Sequence, residues 1–252
     1  MLFRSQHVAR LPSYAATARE RRGPVTRADM RDVEEYAAGE YLVDLVKGVN
    51  DKAAVARVTR RVAELTGLDA ALVERLGGRI PVDVFAREIN RAEGRISSGY
   101  DANVTSFDPF PQAPRSGGDD QMRLGLHAPI ISAMVELYRN KLNWTVENGR
   151  YVFINEQAGR QWEGRREAES LSDLRRVLAL DPRVRVLATH GLTDIVTAYF
   201  ETKMVLDQTP DFGGEKRVRL VVYPGGHMSY SREASRKAMR DDARALMERK
   251  AR

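Results

Sequence analysis

Two short apolar runs in the last third of the chain, Val184-Arg185-Val186-Leu187-Ala188-Thr189-His190 and Val218-Arg219-Leu220-Val221-Val222-Tyr223, constrain the fold more than any other feature. Each has strand length and is stopped by a turn residue, Gly191 or Pro224. Thr197 to Gln208 between them has helical spacing, and Ser231 to about Lys250 reads as a long terminal helix. A crossover of that length cannot close a hairpin, so the two strands run parallel and the expected class is α/β. An amphipathic helix over Ser170 to Leu180, stopped at Asp181-Pro182, leads into the first of them, which reads as a buried strand.

The chain before this unit is different in kind. From about Pro24 to Glu93 it shows helical periodicity and capping signals with almost no strand pattern. Thr26 with Asp29 three residues on opens a helix, and Gly39 marks its end or a bend. Val55, Val58, Val62 and Leu65 form one apolar face that Gly67 terminates. Asp69 caps a short helix through Leu76, closed by Gly77-Gly78, and Pro81 starts another that turns Val84, Phe85 and Ile89 inward.

Gly94 to Asp120 reads as turns and extended loop, with Asp108-Pro109-Phe110-Pro111, Pro114 and Ser116-Gly117-Gly118. Pro129 is expected to begin a helix through about Asn140, striped by Ile130, Met134, Leu137 and Tyr138, and Tyr151-Val152-Phe153-Ile154 to be a short extended piece. There is no internal repeat.

Composition mostly excludes. With 252 residues, 42% hydrophobic and 30% charged, the chain can bury a sizeable core, and it has no run of about 18 apolar residues to cross a bilayer as a helix. The net charge of +6 raises a nucleic-acid-binding module as one reading, but basic and acidic residues alternate, as in Arg27-Ala28-Asp29-Met30-Arg31-Asp32, which is the pattern of a solvated face. Nucleic acid and membrane are therefore not expected partners. With no cysteine there is no thiol chemistry and no disulfide, and the compartment stays open. Met1 to Arg10 is basic without the apolar stretch of a secretory signal, although Ala15-Ala16-Thr17-Ala18 mimics a cleavage site. Asp29, Asp32, Glu34 and Glu35 read as helix-start acids and not as a metal site, and neither Gly117-Gly118 nor Gly225-Gly226 has the setting of a phosphate loop. No cofactor is expected.

The chemistry should lie just beyond the carboxyl ends of the two strands, where side chains of an α/β sheet reach ligands. Asp194 follows the first strand in His190-Gly191-Leu192-Thr193-Asp194, and His227 follows the second in Pro224-Gly225-Gly226-His227-Met228. Neighbouring strands lie about 4.8 Å apart, so the two side chains can meet. A carboxylate bonded to an imidazole holds its tautomer and leaves the second nitrogen free to accept a proton, which is two thirds of a catalytic triad. The nucleophile is the missing third, because no G-x-S-x-G elbow occurs and Ser97, the nearest loop serine, has Gly99 after it but Arg95 before it. His190 is expected to be structural, a supporting bond to Asp194 being the lesser alternative, His7 and His127 to lie at the surface, and Trp144 and Trp162 to serve packing.

The blocks His190-Gly191-Leu192-Thr193-Asp194 with Val196-Thr197-Ala198-Tyr199-Phe200, and Val222-Tyr223-Pro224-Gly225-Gly226-His227-Met228, resemble the acid and base blocks of bacterial serine carboxypeptidases of the α/β-hydrolase fold. Weaker likeness extends through Leu142-Asn143-Trp144, Tyr100-Asp101-Ala102 and Leu11-Pro12-Ser13-Tyr14-Ala15-Ala16. The resemblance covers the family's carboxyl-terminal portion. It implies Asp194 and His227 as triad acid and base, Met228 as a substrate-binding residue, residues 1–165 as a helical cap or lid with loops, and 166–252 as the part of the hydrolase domain that carries acid and base. It further implies a peptide substrate and a preceding segment of the same protein that supplies the serine, without which the chain is inactive. The alternative is a non-catalytic, hydrolase-derived interaction protein whose two-stranded sheet favours self-association.

Overall fold

The computed structural model describes residues 6–112, 120–144, 151–163, 170–214 and 216–248, with the backbone alone at 156, 159, 162 and 163. Pro114, Gly117-Gly118 and the Trp162 side chain lie outside the described residues. The chain is a mixed helix-and-strand protein in which helices predominate.

Its centre is a helix that periodicity does not announce. α1 (Gln6–Glu20) contains Pro12 and buries Val8, Ala9 and the whole run Leu11 to Thr17. A helix buried on all sides has no polar stripe, so it carries no amphipathic signal. Around it stand α2 (Arg31–Tyr36), α3 (Leu42–Lys47), α4 (Lys52–Thr66), α5 (Ala70–Arg75) and α6 (Val82–Glu88). A 3-10 turn over Arg27–Met30, opened by the Thr26/Asp29 capping box, leads into α2. Gly39 is a kink (φ −106°, ψ −106°) in a π turn joining α2 to α3, and the helical run goes on to Lys47 before Gly48 ends it.

α4 behaves as its sequence requires. The Asp51 carboxylate accepts from Ala54 N at 2.9 Å, Val58, Val62 and Leu65 are buried, and Gly67 closes the helix at φ +73°. Asp69 caps α5 in the same way, accepting from Leu72 N. Gly78, at φ +75°, lets α5 turn back against α4, because a Cβ there would stand 2.0 Å from Val58 Cγ1. Its carbonyl accepts from the buried Tyr41 hydroxyl at 2.6 Å, and Tyr14, stacked on Phe85, donates to the Ile80 carbonyl.

Three expectations fail. The stretch after Gly94 is not all loop: β1 (Arg95–Ser97) pairs antiparallel with β2 (Thr105–Phe107). Three-residue strands carry too little alternation to read in advance, and this pair is held by Arg95, which donates to Thr105 Oγ1 and lies over the Phe107 ring. Pro129 does not begin a helix but lies inside α7 (Gln121–Glu136), whose start is set by Asp120, accepting from Met122 N and Arg123 N. A proline inside a helix removes one backbone bond, and here the cap nine residues earlier overrides that break. Tyr151 to Ile154 is not extended throughout, because the chain bends at Phe153 and Ile154.

The final unit is α9 (Leu171–Leu180), β3 (Val186–Gly191), α10 (Tyr199–Leu206), β4 (Val218–Tyr223) and α11 (Glu233–Glu248), after the short α8 (Glu156–Glu163). β3 and β4 are parallel, in register from Val186 opposite Val218 to Gly191 opposite Tyr223. Val186 to His190 are only half-buried, not buried as a central strand would be, because β4 is the one sheet neighbour of β3 among the described residues. The core is continuous through the expected boundary at residue 165: Leu192, Ile195, Tyr199 and Phe200 join Val8, Leu11 and Met30 in one buried cluster.

Candidate active site

The parallel register brings the ends of β3 and β4 level, and the turns beyond them are bonded to each other. Leu192 N donates to the Tyr223 carbonyl and Thr193 N to that of Gly225, at 2.9 and 3.0 Å. Gly191 permits this closeness, since a Cβ there would stand 1.9 Å from the Gly226 oxygen. Leu192 and Ile195 anchor the first turn in the core, which leaves Asp194 between them at 2% exposure.

Asp194 is fully engaged. Its Oδ1 accepts from the backbone N–H groups of Val196 and Thr197, both at 2.9 Å, and its Oδ2 accepts from the Thr197 hydroxyl at 2.6 Å. The same Oδ2 lies 2.9 Å from His227 Nδ1. An ionised carboxylate only accepts, so Nδ1 carries the imidazole proton and Nε2 presents its lone pair. Thr197 Oγ1, 3.0 Å from Nδ1, faces the same proton with its lone pair while its own hydrogen goes to Asp194. The acid is buried, whereas the His227 side chain is 41% exposed.

The His227 backbone is held as firmly as its ring. His227 N donates to the Tyr100 carbonyl at 2.5 Å, and the Tyr100 ring lies 5.3 Å from the imidazole at a tilt of 59°. Both expected site residues, Asp194 and His227, are therefore brought together, and Met228, half-buried, follows directly and starts the 3-10 turn Ser229–Ser231. Periodicity gave no sign of Thr197 or Tyr100. For Thr197 a local signal did exist, since an aspartate accepting from residues two and three ahead is a common side-chain-to-backbone turn.

Ser97 is not placed as a nucleophile: it lies in β1, buried, with its hydroxyl accepting from Asn90 Nδ2 at 2.6 Å. Ser98 is also buried and donates to Asp120. Among the described residues no hydroxyl bonds to His227 Nε2, and no group of three or more His, Asp or Glu side chains is placed to hold a metal ion. The early acids are partnered instead, Asp29 with Thr26, Asp32 with Arg19, and Glu34 with Arg27 and the Tyr199 hydroxyl. Trp144 is half-exposed, edge-on to Tyr138. A cavity of about 500 Å³ lies near the amino end of β4, away from His227, and three of the cations that line it are engaged: Lys203 with Asp207, Arg219 with Asp242, and Arg217 with four backbone carbonyls.

His190 makes no bond to Asp194. Its Nδ1 donates to the Thr197 carbonyl at 3.2 Å and its Nε2 lies 2.9 Å from the Thr202 hydroxyl, so both nitrogens are used. Burial lowers its pKa from the ordinary 6.5, outweighing the opposite pull of the Thr197 carbonyl and the Asp194 and Glu201 charges, and His227 adds to the lowering. A depressed pKa means that the unfolded state takes up the proton first. The contribution of His190 is therefore complete above about pH 6.5 and falls as the pH drops below it. Thermal melts from pH 8 to pH 5 are expected to show this decline, and His190→Gln to flatten it. An equal decline in the variant would assign the pH dependence to other groups.

No family model, no curated protein and no solved structure matches the chain.

Proposed function

We propose that Asp194 and His227 are the acid and base of a serine-type carboxypeptidase, and that the chain is the carboxyl-terminal part of an α/β-hydrolase whose helical portion forms a cap. The observation that carries this reading is the 2.9 Å bond from His227 Nδ1 to a buried Asp194, on a histidine side chain that is itself 41% exposed. The likeness of the two sequence blocks to that family's acid and base supports the choice of reaction. In it, a serine hydroxyl from a preceding segment of the protein attacks the terminal peptide carbonyl and gives its proton to His227 Nε2. His227 then protonates the departing amine, and water, deprotonated by the same nitrogen, releases the acyl group and regenerates the serine. Asp194 stabilises the imidazolium at each stage.

The test is expression from the genomic locus with all in-phase coding sequence upstream of Met1 retained. That protein is expected to react with a fluorophosphonate probe and to release the C-terminal residue of an N-blocked dipeptide, while His227→Ala does neither and the 252-residue chain is silent. An in-phase stop codon directly upstream, or labelling indifferent to His227, overturns the proposal.

A second reading, a non-catalytic interaction protein, is favoured by the half-buried β3 and by the exposed Val43, Val46 and Val49 along and just beyond α3. It requires a stable self-associated species in light scattering and no hydrolytic activity from the locus-expressed protein.

A further inference from the structure

We infer that Asp101 is a positioning residue that sets the distance between Asp194 and His227. It touches neither side chain, and it acts on the residue before each. Asp101 Oδ1 accepts from the Thr193 hydroxyl at 2.8 Å, and Oδ2 accepts from Gly226 N at 3.1 Å. Thr193 immediately precedes Asp194 and Gly226 immediately precedes His227, so one carboxylate bridges the two turns on which the pair is mounted.

The remaining acceptor positions are also filled, by Asn103 N at 3.2 Å on Oδ1 and by Arg232 Nη2 at 2.8 Å on Oδ2. That is the full capacity of a carboxylate, at a residue only 4% exposed. The neighbouring backbone repeats the clamp, with Tyr100 O accepting from His227 N and Ala102 N donating to the Thr193 carbonyl. There is no slack, because a Cβ on Gly226 would stand 2.5 Å from Asp101 Cα. The clamp is in turn fixed to the central helix: Arg232 also pairs with Glu20 of α1, which accepts from Asn103 Nδ2.

Asparagine in place of Asp101 keeps the shape, but in either orientation its N–H₂ group meets a backbone donor, Gly226 N–H on one side or Asn103 N–H on the other. One buried N–H then loses its acceptor, and one side of the bridge between the two turns is weakened. Displacements of an ångström between reacting groups cost large factors in rate. The effect on the imidazole stands on the geometry alone. The effect on turnover rests on the hydrolase reading.

The experiment reads the ring N–H protons of the ¹⁵N-histidine-labelled 252-residue chain. His227 Nδ1–H, on Asp194, and His190 Nδ1–H, on the Thr197 carbonyl, are both expected as separate resonances. In Asp101→Asn the His227 proton is expected to exchange with water about tenfold faster or to vanish, while the His190 proton, whose bonds do not involve Asp101, persists. Should that variant fail to fold, Thr193→Val, which removes one donor from Asp101, must give the same selective loss. An unchanged His227 signal, or loss of both signals together in a folded variant, overturns the positioning role. In the locus-expressed protein Asp101→Asn is expected to lower kcat about tenfold or more at unchanged KM, and an unchanged kcat also overturns the role. An inactive parent protein counts against the hydrolase reading and leaves the resonance test to decide on Asp101.

Discussion

On the proposed hydrolase reading, Asp194→Asn is expected to lower turnover of the locus-expressed protein by about 10⁴-fold while the protein keeps its fold. The asparagine carbonyl oxygen can still accept from Val196 N and Thr197 N, which maintain the turn. Its amide nitrogen then replaces Oδ2, the atom that faces His227 Nδ1. A donor at that point forces Nδ1 to accept, so the ring proton moves to Nε2, which then can no longer take a proton from the proposed serine. The Thr197 hydroxyl loses its acceptor at the same atom and adds a small cost in stability. Two measurements check the argument: kcat on a blocked dipeptide, and the ring ¹⁵N shifts of His227, which must show the tautomer reversed. A variant with a reversed tautomer and undiminished kcat would remove His227 from the reaction.

Gly226→Ala is the second large effect, and its cause is steric. A Cβ at Gly226 would stand 2.0 Å from the Tyr100 carbonyl oxygen and 2.5 Å from Asp101 Cα, both backbone atoms that no rotamer change can move aside. To admit it, the His227 turn must withdraw from Tyr100 to Ala102, which breaks the His227 N–Tyr100 O and Gly226 N–Asp101 bonds. Overpacking of this kind costs about 3 kcal/mol, or roughly 10 °C in Tm for a chain of this size. Hydrolytic activity is expected to disappear with it. Gly125→Ala in α7, whose Cβ would meet nothing within 4 Å, is the matched control and should leave Tm unchanged or slightly raised. Equal melting temperatures for the two variants would contradict the packing described for the His227 turn.

Gly226 also shows how far the sequence could be read. The pair of glycines before the histidine announced a sharp turn, and Gly225 does adopt φ +110°. Gly226 has no left-handed backbone, and its missing side chain makes room for a segment 125 residues earlier in the chain. Nothing local to Pro224-Gly225-Gly226-His227 distinguishes the two cases. Thr197 and His190 divide similarly. The hydroxyl three residues after Asp194 follows from a local turn pattern, whereas the partners of His190 depended on how α10 lies against β3.

What the sequence determined by itself was local or repeated at short range: the β4 boundaries, the parallel sense of β3 and β4, the Asp51 and Asp69 caps, the Gly67 stop, and an acid and a base at adjacent strand ends. These depend on side-chain spacing and on backbone conformations that a few neighbouring residues dictate. Only the tertiary structure decided that α1 is the buried centre, that three-residue strands pair after Gly94, and that Asp101 stands between the turns that carry Asp194 and His227. Each of these is a match between segments far apart in the chain, in which shape and donor–acceptor complementarity set the outcome, and such complementarity leaves no periodic trace in either segment.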